Sequence, residues 1–510
     1  MPEQRPESLV ASQLDARFLS ASQAAEYLRG GDISARELVE VCEDAYRADH
    51  ERINALILSD FDAARSAAAE SDARRARGET RGPLDGIPFS VKESFDVAGW
   101  PTTSGNPVNL GNIAMSDAVV VQRLRAAGAV LLGKTNVPIA LRDWQSYNTI
   151  YGTTRNPHDD TRTPGGSSGG SAAAVCAGMS FFDVGSDIAS SLRNPAHFCG
   201  VFSHKSSHGV VPMRGHGIGI SFCEQAINVA GPIARSARDL ELVLRAIVGP
   251  GDEMASAWRL ELPSCSKKTL AEFRVAVLAD HVLAEVDREV GGAIECLARR
   301  LEAEGATVVW NRRPDFDPVE LWCAFVKMVR ATTSLYLDDP AFERILTQAA
   351  SADPTRFDYE TLQYVGTGIR HRDWLKLEQR RARFAEAWRH FFDDYDVLLC
   401  PAAVTTAFPL DETGEPWQRT LMVNGRPQPM TNQMFWAGHS GLCGLPSTVA
   451  PIGPGSSGLP TGVQIVAARY ADLTSLRFAQ LLEQAGFVFR PPGRSSQSIA
   501  GDARKMEGSC

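Results

Sequence analysis

A serine hydroxyl attacks a carbonyl carbon only when one group takes its proton and others hold the oxyanion that forms. Three segments of this chain carry residues suited to that work: Gly86-Ile-Pro-Phe-Ser-Val-Lys92, Gly165-Gly-Ser167-Ser-Gly-Gly-Ser171 and Gly185-Ser-Asp-Ile-Ala-Ser-Ser191-Leu-Arg193. Lys92 precedes Ser167 by 75 residues, and Ser167 precedes Ser191 by 24. A lysine and a second serine can make a nucleophile of Ser191 without histidine, provided that burial lowers the lysine pKa from about 10.4 towards about 7–8. The apolar neighbours Phe89 and Val91 are compatible with that burial. Each segment alone also has an ordinary reading. GGSSGGS is a flexible linker in most proteins, a lysine after Gly-Ile-Pro is a solvated charge, and an Asp187–Arg193 pair is structural.

The three segments occur together in order, and others accompany them: Leu131-Leu-Gly-Lys-Thr-Asn136, Gly231-Pro-Ile-Ala-Arg-Ser236, Gly444-Leu-Pro446 and Gly458-Leu-Pro-Thr-Gly-Val-Gln464. With them the chain resembles the amidase signature family over most of its length, from about Ala21. The resemblance implies an α/β fold, a large mixed β-sheet flanked by helices on both faces. It implies hydrolysis of amides, and of some esters and carbamates, by a Ser–cis-Ser–Lys triad that needs no cofactor and no metal. In that triad Ser191 attacks, Ser167 relays the proton after a cis peptide bond, and Lys92 is the base. Asp187 and Arg193 set the register through the family's Asp-x-Gly-Gly-Ser-x-Arg pattern, which leaves Ser190 as a loop residue. The backbone N–H groups of Ile188, Ala189, Ser190 and Ser191 would form the oxyanion hole, supported by Ser168, Ser186, Asp187 and Arg193. Two departures stand out. Ala189 and Ser190 replace two glycines, so the turn is strained if it needs positive φ and the acyl pocket narrowed if it does not. Lys205-Ser-Ser207 replaces Lys-Pro-Thr at a turn further from the chemistry.

Length alone, at 510 residues, suggests two to four domains. The resemblance implies instead one α/β domain over residues 81–495, with an insert at about 315–370. A helical segment, 1–80, would pack on it, and a polar, small-residue tail, 496–510, is expected to be disordered. The composition, 44% hydrophobic and 22% charged, is that of an ordinary globular protein. A net charge of −9 without a basic block excludes a nucleic-acid partner. Ten scattered cysteines show no metal-like spacing and read as reduced, mostly buried thiols. With no signal-like apolar region and no run of about 18 apolar residues, the expected place is the cytoplasm, away from membranes. The expected partner is a small-molecule amide or carbamate, and the expected state a monomer or homodimer.

The elements that must position these residues follow from local pattern. Ser20 and Ser34 precede apolar periodic stretches, Ser34 and Glu37 fit a capping box, and Asp62 to Arg77 suits an exposed helix. Ala129–Leu132, Arg274–Leu278, Thr307–Trp310 and Val397–Cys400 read as buried strands. Helices alternate with them, one with Val286, Val290, Ala293, Ile294, Leu297 and Leu301 on a face and one from about Trp374 to Phe392. The stretch from Asp315 to Gly368 lacks strand rhythm and carries Trp322, Phe325, Met328, Tyr336, Tyr359 and Tyr364, core residues singly but as a group able to wall a substrate cleft. Residues 401–430 read as a surface loop bordering the site.

Three signals mislead. Gly128 to Thr135 matches the Walker A string, but its middle residues are themselves a strand. His197, six residues after Ser191, is not in a Gly-x-Ser-x-Gly elbow and reads as structural. Cys323 reads as a core thiol. The resulting expectation is a hydrolase of amide C–N bonds, with aryl amides, anilides or carbamates favoured. The rivals are a glutamine-dependent amidotransferase subunit and a degenerate binding protein.

Overall fold

A computed structural model describes residues 16–218, 224–251, 254–353 and 355–493. Ser20 and Gln23 cap the helix Ala21–Gly30 reciprocally, and Ser34 and Glu37 do the same for Ala35–Ile53. Each helix ends on a left-handed residue, Gly31 or Asn54. The next element is a strand, Leu56–Ser59, followed by the helix Phe61–Ala76. The first 80 residues are therefore not purely helical. Four residues between two helices offer too short an alternation to announce a strand, and it forms because it can pair antiparallel with Val130–Thr135. Leu28, Leu38 and Val39 bury their side chains in the main core. The expected tail, 496–510, lies outside the described residues.

Eleven strands form one mixed sheet. From one edge they run Leu56–Ser59, Val130–Thr135, Pro88–Lys92, Phe182–Asp187, Val229–Ala234 and Phe202–Lys205, then Ser447–Pro454, Pro460–Val466, Val397–Pro401, Arg274–Val277 and Thr307–Trp310. Pro88–Lys92 lies parallel to both its neighbours, whereas Phe182–Asp187 and Val229–Ala234 are antiparallel. Pro88–Lys92, Phe182–Asp187 and Val229–Ala234 are buried at every position. Successive side chains of a strand point to opposite faces, so both faces of this central region are covered. The helices Gly169–Cys176 and Ala237–Ile247 pack on these strands, while Arg288–Ala303 covers the other half of the sheet and buries Val290, Ile294, Leu297 and Leu301, one stripe at helical spacing.

The aromatic stretch is three helices, Pro318–Thr333, Asp339–Ser351 and Tyr359–Thr367. Phe325 and Met328 are core residues, while Trp322 and Tyr359 pack against the core's edge. Residues 401–430 are less loop-like than expected. Residues 401–408 are buried, and Thr420–Val423 pairs with Arg426–Pro429 as a hairpin. Its turn is Asn424-Gly425 with both φ positive, a two-residue hairpin signal masked by the surrounding prolines. Seven described cysteines, Cys323 among them, are free thiols. Cys296 is disulfide-bonded, which corrects the expectation of reduced thiols throughout. Among the described residues no helix is long and apolar enough to cross a membrane.

Candidate active site

Lys92 ends the buried strand Pro88–Lys92, and its ammonium reaches two hydroxyls: Nζ donates to Ser167 Oγ at 2.7 Å and to Ser186 Oγ at 3.0 Å. No carboxylate is in ion-pairing reach of Nζ among the described residues. Burial therefore dominates and brings the Lys92 pKa down to about 7, against the upward pull of Asp187 and Asp183.

The Ser167 segment runs between two backbones. The Gly166–Ser167 peptide bond is cis, and Gly165 has φ +91°. A Cβ on Gly165 would lie 2.5 Å from Asn194 Oδ1, and one on Gly166 would lie 2.3 Å from Gln145 O. Only glycine fits at either position. Asn194 clamps this segment to the turn before it, donating to Gly166 O at 2.8 Å and to Ser190 O at 3.0 Å. Ser168 ties the same two pieces together, its N–H donating to Ser191 O at 3.2 Å and its hydroxyl to Ser186 O at 3.2 Å.

Ser191 lies between the strand Phe182–Asp187 and the helix Arg193–Cys199, on a turn organised by Asp187. That carboxylate accepts the N–H groups of Ser190 and Leu192, each at 2.9 Å, and both arms of Arg193, at 3.0 and 2.8 Å. Burial pushes the Asp187 pKa up, but the Arg193 charge and these bonds win and hold it below the usual range. The remaining Arg193 nitrogen donates to Ala437 O, Ser440 Oγ and Gln464 Oε1, so the pair anchors the turn to the core. Because the Ser190 N–H is spent on Asp187, it is withdrawn from the expected oxyanion set. The N–H groups of Ile188, Ala189 and Ser191 have no hydrogen-bond partner among the described residues. Of the two glycine replacements, Ser190 is the strained one, with φ +82°, and its hydroxyl donates to Ala402 O at 3.2 Å. Ser191 retains 7% exposure. Its hydroxyl makes no hydrogen bond among the described residues, so Lys92, Ser167 and Ser186 are in contact while Ser191 is held beside them through backbone.

Two buried groups absent from the sequence reading complete the site. His216 Nε2 lies 2.8 Å from Ser186 Oγ and 3.1 Å from Ser94 Oγ, with Phe95 edge-on to the ring at 4.6 Å. Burial, then the Lys92 charge, depresses its pKa to about 3, so it is a neutral imidazole behind the lysine. Asp183 accepts from Ser90 at 2.6 Å, and burial raises its pKa to about 6. Neither residue sits at a motif spacing; the separation of 30 positions from Ser186 to His216 is closed only by the fold. His197 is elsewhere, its Nδ1 accepting from Gly462 N–H and its Nε2 facing Thr405 O at 3.1 Å. Lys134 of the Walker-like string donates to Pro101 O and Thr102 Oγ1 from a strand, and a Cβ on Gly133 would lie 2.0 Å from Leu58 O. That backbone does not curl around a phosphate. Among the described residues no group of three or more His, Cys, Asp or Glu could hold a metal ion.

The comparisons with known proteins place this site in a family. The Amidase family model matches residues 37–476. The chain belongs to that family, the amidase signature enzymes, which act on amides. It is 34% identical over 470 residues to the 1-carboxybiuret hydrolase subunit AtzE of Pseudomonas sp. (strain ADP), covering 91% of this chain and 98% of that one. It is 31% identical over 482 residues to the indoleacetamide hydrolase of Bradyrhizobium diazoefficiens, covering 92% and 87%. A solved bacterial aryl acylamidase of the amidase signature family superposes with a TM-score of 0.79 at 25% identity, over 94% of this chain and 99% of that one.

Proposed function

We propose that the protein hydrolyses small amides through an acyl-enzyme on Ser191, with Ser167 and Lys92 as proton relay and base. The observation that carries this reading is the 2.7 Å contact between Ser167 Oγ and a fully buried lysine whose pKa lies at about 7. The Ser191 proton passes to Ser167 as the Ser167 proton passes to Lys92. Ser191 Oγ bonds the carbonyl carbon, and the N–H groups of Ile188, Ala189 and Ser191 hold the oxyanion. Collapse breaks the C–N bond while the proton returns through Ser167 to the departing nitrogen. Water then takes the amine's place, and the same relay releases the acid.

For the substrate, aryl amides, anilides and small aryl carbamates fit best, with esters as a side activity. Support comes from the aromatic side chains of the helices Pro318–Thr333 and Tyr359–Thr367, where Trp322 and Tyr359 stand 6.5 Å apart. The name of one solved relative, an aryl acylamidase, points the same way. A panel of p-nitroanilides, aryl carbamates, esters and free glutamine tests this. The expected order puts the aryl amides and carbamates first and glutamine last; glutamine as the best substrate would replace this reading with an amidotransferase one.

A further inference from the structure

Buried arginines in this protein normally find what a guanidinium needs. Arg193 meets Asp187, Arg419 meets Asp143 at 2.6 Å, and Arg235 ends on the carbonyls of Leu19, Val175 and Ser180. Arg142 and Arg330, both half-buried, do not. Arg142 Nη2 donates only to Thr333 O, at 3.3 Å, at the end of the helix Pro318–Thr333. Arg330, one turn back on that helix, donates to Gln363 Oε1 at 3.0 Å, its guanidinium 5.3 Å from the Tyr359 ring centre and 5.7 Å from that of Trp417. Neither has a carboxylate oxygen within 4.0 Å among the described residues.

Four unmet hydrogen-bonding groups belong to these arginines and their neighbours. Arg142 Nε, Arg330 Nε, Gln363 Nε2 and Thr332 Oγ1 are all buried without a partner. Three of these four are obligate donors. Burial, then the charge of Arg330, brings the Arg142 pKa down to about 10, with Tyr359, Glu415 and Tyr336 pulling the other way. Two like charges close enough to repel, with orphaned donors, are unfavourable until an anion arrives to accept from both. The place borders the catalytic turn: two residues after Arg142, Trp144 Nε1 donates to Ala189 O at 3.1 Å. Arg142 also serves the carbonyl end of a helix, but that role uses Nη2 and leaves Nε unmet.

We propose that Arg142 and Arg330, with Thr332 and Gln363, form an anion-binding subsite that receives a carboxylate carried by the amide substrate. Two guanidiniums present the forked donors that a planar carboxylate accepts. The aryl rings of Tyr359 and Trp417 hold one of those forks in place from its faces. This inference rests on the amide-hydrolase reading above and narrows it to amides bearing a negative charge.

The test uses the full-length Ser191→Ala protein in calorimetric titrations. The ligands are 4-acetamidobenzoate, whose carboxylate is on the amine side, succinanilate, whose carboxylate is on the acyl side, and the methyl ester of each. One acid should bind at least ~10-fold more tightly than its ester. Adding Arg142→Gln or Arg330→Gln should bring that ratio to within ~twofold, and Arg330→Lys should keep part of it. Thermal melts establish that the variants fold. Esters binding as tightly as both acids would overturn the subsite before any arginine is changed, and so would an acid preference that survives both Gln variants. Fluorophosphonate labelling of the unsubstituted enzyme separates the two claims. An adduct at Ser191 without acid preference sinks the subsite alone, and acid preference without an adduct sinks the hydrolase reading.

Discussion

Lys92 and Lys134 sit on neighbouring parallel strands, Pro88–Lys92 and Val130–Thr135, and both are buried. Burial lowers both pKa values, to about 7 and about 8. Their difference lies in what the ammonium touches. Lys134 donates to a backbone carbonyl and to Thr102, with Glu93 and Asp96 near enough to favour its charged form. The carbonyl has no proton to hand over, and the Thr102 hydroxyl is engaged with the Asp96 carboxylate. Lys92 instead meets Ser167 and Ser186, hydroxyls that both give and take protons. Burial makes a lysine deprotonatable; a hydroxyl partner leading to a nucleophile makes that deprotonation useful.

The largest way to break this contrast is to remove each lysine. Lys92→Ala should lower kcat/KM by at least ~10³, and Ser167→Ala and Ser191→Ala should cost nearly as much because the three act as a unit. The Lys92 variant should recover partly at high pH, where hydroxide replaces the base. Lys134→Met should cost about 1–3 kcal/mol of stability, through the acceptors it leaves unmet, and keep the pH midpoint of activity. Equal losses of kcat/KM in well-folded Lys92 and Lys134 variants would erase the distinction.

A second test moves the midpoint. Lys92 must be neutral to accept a proton, so kcat/KM should rise with pH through about 7 and fall away below it. The Asp183 carboxylate pulls the Lys92 pKa up, so Asp183→Asn should shift the midpoint down. A midpoint shifted upward would contradict the assignment of that group to Lys92.

The two buried histidines extend the same logic. His216→Ala removes the group behind Ser186 and should lower kcat about 10-fold. His197→Ala should cost about 1–3 kcal/mol of stability while keeping most of kcat. Kinetics and thermal melts on the same preparations separate these outcomes. The reverse pattern, a dead but folded His197 variant beside an active Lys92 variant, would favour a Ser-His mechanism.

How much of this was legible in the sequence depended on range. The capping box of Ser34 and Glu37 and the buried stripe of Arg288–Ala303 are encoded within a few residues, and local periodicity reveals them. Lys92, Ser167 and Ser191 stood out because their three segments occur together in the order and spacing of the amidase signature family, and the glycines at 165 and 166 are required by close backbone approach. The strand Leu56–Ser59 was hidden because its only reason to exist is a partner 70-odd residues away. His216 and the Arg142–Arg330 pair escaped for the same cause: a histidine or arginine acquires meaning from contacts that only the folded chain makes. The Ser190 N–H was assigned to the oxyanion hole because spacing cannot show that Asp187 already uses it.

The smallest expected effect concerns that turn. Ser190→Gly relieves a positive φ worth about 1 kcal/mol but removes the hydroxyl bond to Ala402 O. The net change in stability should stay within about 1 kcal/mol. Made together with Ala189→Gly, it should broaden acyl tolerance in the substrate panel, whereas an unchanged acyl range would mean that these side chains do not bound the pocket.

The central claim, that a neutral Lys92 activates Ser191 through Ser167, is tested most directly by the pH dependence of fluorophosphonate labelling, with the adduct mapped by mass spectrometry. The account predicts a single adduct at Ser191, with a labelling rate that rises through about pH 7 in the native enzyme and loses that step in Lys92→Ala. An adduct at Ser190 or elsewhere, or the same step in the Lys92 variant, would contradict it.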